Sequence, residues 1–154
     1  MEELRVVEVC NACRHVIISK DGIRSLFWIL DRNGRFFLKK GDLSIAFVSK
    51  KKIKTIHDQF LGDDSPTDVI TFQGDPALNF VGEIVVCPLY ALEQSKFYGT
   101  TFEEEIKLYL VHGYLHLCGL RDKNKKEIEE MREGERYCMH FLGSLSLQAS
   151  LKGQ

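Results

Sequence analysis

The chain has no long apolar run. Its longest unbroken one, Leu26 to Leu30, falls far short of the roughly 20 residues that a membrane-crossing helix needs, so no membrane segment is expected. The opening stretch MEELRVVEVC lacks the basic and apolar regions of a secretory leader. A cytoplasmic protein is therefore expected, with Cys10, Cys13, Cys87, Cys118 and Cys138 kept reduced and no disulfides formed. An excess of one charge is missing as well. A formal net charge of -1 argues against gripping nucleic acid through an overall field, and any basic surface must be found by position. There is no internal repeat, low-complexity tract or linker.

What is present fits one soluble domain. At 154 residues, with 44% apolar and 28% charged residues, the chain can bury a single core but not two. Its β-branched and aromatic runs predict four strands, over Leu4–Val9, Leu43–Val48, Val69–Phe72 and Val81–Cys87. Five helices are predicted between and after them. The first runs from about Gly22 to Arg32 with Asp21 as cap, and the second carries Ile53, Ile56 and Phe60 to a stop near Gly62. The third starts at Pro88 and stops at Gly99. Thr100 or Thr101, with Glu103 or Glu104 three residues on, caps the fourth, and the fifth spans about Lys125 to Leu142. Two helices among the strands and three after them predict an α+β fold, one domain over 1–145 with a small, mostly four-stranded mixed sheet. Residues 146–154 are expected to fray. Phe27 and Trp28 read as core residues of the first helix. In Cys10-x-x-Cys13 there is no second pair, so Cys10 reads as a core cysteine in a strand with an incidental neighbour.

The stretch HGYLHLCGLRD, His112 to Asp122, is the part that points to chemistry. On a helix, residues four apart share a face with Cβ atoms roughly 6 Å apart, so two imidazoles can converge on one ion at about 2.1 Å each. His112 and His116 have that spacing, Gly119 can end the helix in a left-handed turn, and Asp122 follows as a third ligand or as a cap for the next helix. The position after the first histidine is Gly113, where a zinc peptidase of the H-E-x-x-H type carries its general base. Peptidase chemistry of that kind loses support. His15, His57 and His140 have no partner at ligand spacing.

His112-Gly113-Tyr114-Leu115-His116-Leu117-Cys118-Gly119 resembles the H-G-x-L-H-L-x-G core of the YbeY family of metal-dependent endoribonucleases, also called rRNA maturation factors. Pro66-Thr67-Asp68-Val69-Ile70-Thr71-Phe72 is similar to that family's P-T-D-V-L-S-F segment, and Gly82-Glu83-Ile84-Val85 to its G-D-I-V strand. The resemblance implies a single-domain α+β hydrolase, one zinc ion per chain held by the helix motif, and action on ribosomal RNA of the small ribosomal subunit. Two departures stand out. The family motif usually ends G-x-D-H, and Asp122 falls on its third histidine; Leu61 falls where an arginine commonly precedes P-T-D-V. A carboxylate in that place lowers the ion's effective charge and makes the site friendlier to harder ions such as manganese.

On this reading His112, His116 and Asp122 hold zinc, and Thr67 and Asp68 shape the cleft as candidate catalytic residues. Arg121, Lys123, Lys125 and Lys126 are the candidate RNA-binding cations beside the metal; Lys39-Lys40 and the Lys50, Lys51, Lys52, Lys54 group are further basic clusters. Two competing functions share the ligand set: an RNA- or ribosome-binding protein with a structural metal, and an iron oxygenase with two histidines and one carboxylate. No oligomeric state is implied.

Overall fold

Period-two burial in Asp42–Phe47 and burial on both faces along most of Phe80–Val86 make these the two central strands of a four-stranded sheet. The computed structural model describes residues 5–61 and 68–153. In chain order the elements are β1 (Val7–Asn11), β2 (Val16–Ile17), α1 (Lys20–Leu30), β3 (Asp42–Phe47), α2 (Lys50–Leu61), β4 (Val69–Asp75), a 3-10 turn (Pro76–Leu78), β5 (Phe80–Val86), α3 (Pro88–Tyr98), α4 (Phe102–Leu117), α5 (Lys125–Leu142) and β6 (Ser150–Leu151). The sheet order is β1-β3-β5-β4, with β1, β3 and β5 parallel and β4 antiparallel to β5. This is the expected α+β arrangement, five helices on one mixed sheet. No described helix is long and apolar enough to cross a membrane.

Alternation along the strands divides the interior. Leu43, Ile45 and Phe47 of β3, with Ile84 and Val86 of β5, join α1, α4 and α5 in the main core. Val85, Ile70 and Cys87 point the other way and pack on Ile53 of α2. The α4 helix lies in the main core against β4 and β5, and α5 packs along it. At the far end Tyr114 of α4 donates to Asp31 at 2.9 Å, and Asp31 accepts from Arg5 Nε at 2.7 Å. Burial pushes the Tyr114 hydroxyl far up, so it stays a donor.

Four expectations change. The tail does not fray: Leu147 is fully buried, its backbone N–H donates to Glu103 at 2.8 Å, and β6 pairs antiparallel with β2. Apolar side chains hidden among polar ones in SLSLQASL supply that anchor, and both strands are too short for pattern to reveal. Trp28 is not core: it keeps 52% of its surface exposed, whereas Phe27 is buried, because one residue's 100° rotation carries it off the Ile23–Leu26–Phe27–Leu30 stripe. Cys10 faces outward from β1 and Cys13 is the buried member of the pair, as alternation from Val7 and Val9 requires. Helix α1 is capped by Ser19, whose hydroxyl accepts from Gly22 N, rather than by Asp21.

Candidate metal centre

Helix α4 begins at Thr101, whose hydroxyl caps Glu104 N at 3.1 Å, and three glutamates occupy its first turn beside the positive helix end. Its last turns carry His112 and His116 on a partly exposed face. Gly113 lies on the adjoining buried face, where a Cβ would stand 2.7 Å from Ile84 Cγ2 of β5. The helix can approach the sheet this closely only with glycine there. The base position of an H-E-x-x-H helix is therefore closed by packing.

The helix ends at Gly119, whose φ of +107° is left-handed. Its N–H donates to His116 O, and Leu120 N donates back to Leu115 O, both at 3.0 Å. This reversal delivers two groups to the histidines. The carbonyl of Leu120 meets His116 Nδ1 at 2.9 Å. Asp122 Oδ2 reaches His116 Nε2 at 3.3 Å and His112 Nε2 at 3.5 Å.

The two Nε2 atoms are 3.0 Å apart. A tetrahedral ion with ligands at about 2.0–2.1 Å holds neighbouring ligand atoms about 3.3–3.4 Å apart. The three observed edges fit that triangle. Asp122 is exposed and the histidines half-buried, so the triangle lies at the surface.

Hydrogen-bond direction sharpens the point. A carbonyl can only accept, so His116 Nδ1 carries the proton it gives to Leu120. His112 Nδ1 lies 2.8 Å from Glu135 Oε2 on α5. Burial pushes the Glu135 carboxyl up, but hydrogen bonds from His112 and Arg132, with their charges, outweigh it and hold it below the usual range. It is thus an ionised acceptor at neutral pH, with Arg132 Nη1 on its two oxygens at 2.7 and 3.0 Å. In the neutral rings both Nε2 atoms then present lone pairs to each other and to a carboxylate. Three acceptors with no proton between them are the chemistry of a cation site.

The structure thus brings together His112, His116 and Asp122. Arg121, Lys123, Lys125 and Lys126 are all exposed around the Asp122 loop and the first turn of α5, with Arg121 Nε 3.7 Å from Glu127. Thr67 and Leu61's side chain lie outside what the structure describes. Asp68 is not in the triangle. Its carbonyl accepts from Cys87 N at one end of β4, while Gln73 near the other end donates to His116 O at 3.3 Å. Five residues of strand, about 16 Å, separate them. Asp68 bears instead on Tyr109: burial first, and then that carboxylate, push the tyrosine hydroxyl well up.

Sequence reading missed Glu135, Arg132 and Gln73. Glu135 left a signal: it falls on the Met131–Cys138–Leu142 stripe of α5, a lone carboxylate at an apolar position.

The family model for Endoribonuclease YbeY matches residues 18–143, most of the chain and all of this centre. The chain belongs to the YbeY endoribonuclease family. An Endoribonuclease YbeY of Thermotoga maritima is 40% identical over 97 residues, 59% of this chain and 63% of that one. A Thermotoga neapolitana relative of the same name is 39% identical over 116 residues, 72% and 76%, and one from Elusimicrobium minutum is 40% identical over 104, 64% and 72%. The aligned stretches thus span roughly two thirds to three quarters of these YbeY proteins. The solution structure of TM1509 from Thermotoga maritima superposes with a TM-score of 0.60 at 27% identity, covering 97% of this chain and 99% of that one.

Proposed function

We propose that this YbeY-family chain is a metal-dependent endoribonuclease, that zinc is its ion, and that it acts in the cytoplasm on ribosomal RNA of the small subunit. The observation that carries the reading is the triangle of His112 Nε2, His116 Nε2 and Asp122 Oδ2 at 3.0, 3.3 and 3.5 Å on α4 and its C-terminal turn. Nitrogen and carboxylate donors suit zinc, with manganese the next ion for a set that carries one anionic ligand.

A divalent ion bound there supplies Lewis acidity to a phosphodiester and makes water a better nucleophile at neutral pH. The chain's own groups set the geometry. Glu135 and Arg132 hold the His112 ring, the Leu120 carbonyl holds the His116 ring, and the surface position of Asp122 leaves room for a bulky polyanion. Arg121, Lys123, Lys125 and Lys126 are assigned to the phosphates on either side of the cut. Thr67 and Asp68 are assigned to the cleft wall, Asp68 acting through Tyr109, which precedes His112 by three residues on α4.

The test is cleavage of unprocessed small-subunit ribosomal RNA by the purified protein. Cutting should stop with a chelator, return with zinc, and be absent in His116→Ala. Tight RNA binding with no cutting under any divalent ion would refute the nuclease and leave a binding protein.

A further inference from the structure

Lys20, Arg24, Trp28 and Arg32 recur every fourth residue, so they share the outer face of α1 and its end, opposite Ile23, Leu26, Phe27 and Leu30. Trp28 is half exposed in the middle of that row. The Arg32 guanidinium lies 3.6 Å from its ring centroid and donates to the Trp28 carbonyl at 2.7 Å. At the start of the helix Lys20 also lines a cavity of about 440 Å³. Its other charged lining residues are Arg14 and Lys152, its apolar ones include Val16 and Ile17, and it has no acidic lining residue. Arg24 pairs with Asp21 at 3.3 Å, both side chains solvent-exposed. Such a pair exchanges readily for another anion.

We propose that this face of α1 and the adjoining cavity bind single-stranded RNA, with Trp28 stacking on a nucleobase and Arg14, Lys20, Arg24 and Lys152 taking phosphates. The proposal rests on the reading of RNA as substrate but uses none of the metal centre. Charge alone would also suit an acidic polypeptide. The row, however, sets a flat indole between cations and continues into a partly apolar cavity, and single-stranded RNA has the matching alternation of phosphate and planar ring. An exposed tryptophan stacked by arginine is a poor solvent surface and a good base platform.

Trp28 is the chain's only tryptophan, so its emission reports on this face alone. A polyuridine oligonucleotide is titrated into the full-length protein with a chelator present to prevent cutting, following tryptophan emission and the anisotropy of labelled RNA in parallel. Emission should be quenched along the same saturation curve as the anisotropy. Trp28→Ala should weaken binding by about tenfold. Lys20→Ala/Arg24→Ala should flatten the salt dependence by about 1.4 in slope, two phosphates at 0.7 each. All three side chains are exposed, and circular dichroism checks that the variants fold. Saturating RNA binding with unchanged emission, or variants that bind as wild type, would overturn the proposal. Equal quenching by polyglutamate would overturn it in favour of an acidic partner. If the proposal fails while metal-dependent cutting persists, the nuclease reading stands; if RNA is neither bound nor cut, both fall.

Discussion

Glu135→Gln isolates what α5 contributes to the metal centre. The substitution keeps shape and volume and removes one negative charge from a residue that is 4% exposed. In the native protein the carboxylate accepts from His112 Nδ1 at 2.8 Å and from Arg132 at 2.7 and 3.0 Å. An amide keeps one oxygen and puts an NH2 in place of the other, so a donor is left facing a donor, and His112, its partner no longer charged, becomes a less basic ligand. Loss of such an outer partner typically costs 10–100-fold in metal affinity, about 1.4–2.7 kcal/mol. The metal-free protein should lose about 1–3 kcal/mol of stability for the donor left without an acceptor. Affinity is measured by competition with a chromophoric chelator at fixed pH, and stability by urea unfolding with excess chelator, so that the two losses are read separately. A folded variant that binds zinc within about twofold of wild type would refute the claim that Glu135 orients and polarises His112.

Gly113→Ala should destabilise the fold by about 1–3 kcal/mol through the Ile84 contact, a net loss despite alanine's better helix propensity, as read by urea unfolding. Removing residues 147–154 should cost at least about 2 kcal/mol, the burial of one leucine, and lower the melting temperature; an unchanged melt would restore the frayed tail. Burial raises the thiols of Cys13, Cys87 and Cys138, the last to about 11. The folded state then holds protons that the unfolded chain releases near its ordinary thiol pKa. Stability should therefore fall as pH rises above about 9, and iodoacetamide at pH 8 should label exposed Cys10 before these three; equal labelling in folded protein would contradict their burial. Lys125→Ala/Lys126→Ala should weaken RNA binding and reduce its salt slope by about 1.4 for single strands, and an unchanged slope would remove those residues from the phosphate path.

The pattern that was legible was local. Two histidines one turn apart, a glycine at the helix end and a carboxylate three residues later are contiguous, so their convergence follows from helix and turn geometry alone. Strands and helices with strong periodicity were likewise readable, within two or three residues at the ends. What escaped was made by distance in sequence. Glu135 meets His112 across 23 residues and Glu103 meets Leu147 across 44, and no local rule links either pair. Gln73 reaches His116 only because β4 runs antiparallel beside β5, and strand order could not be read from the chain. Residue type points Trp28 and Cys10 inward, but their phase on helix and strand turns both outward.

The contact between Gly113 and Ile84 also constrains how this centre can change over evolutionary time. A glutamate at 113, the single replacement that would turn H-G-x-x-H into the peptidase pattern, would drive its side chain into Ile84 and lift the helix off the strand. Shrinking Ile84 first would leave a void beneath a glycine. Each step is harmful alone and tolerable only beside the other, so the route between two hydrolytic chemistries on this scaffold requires both replacements together.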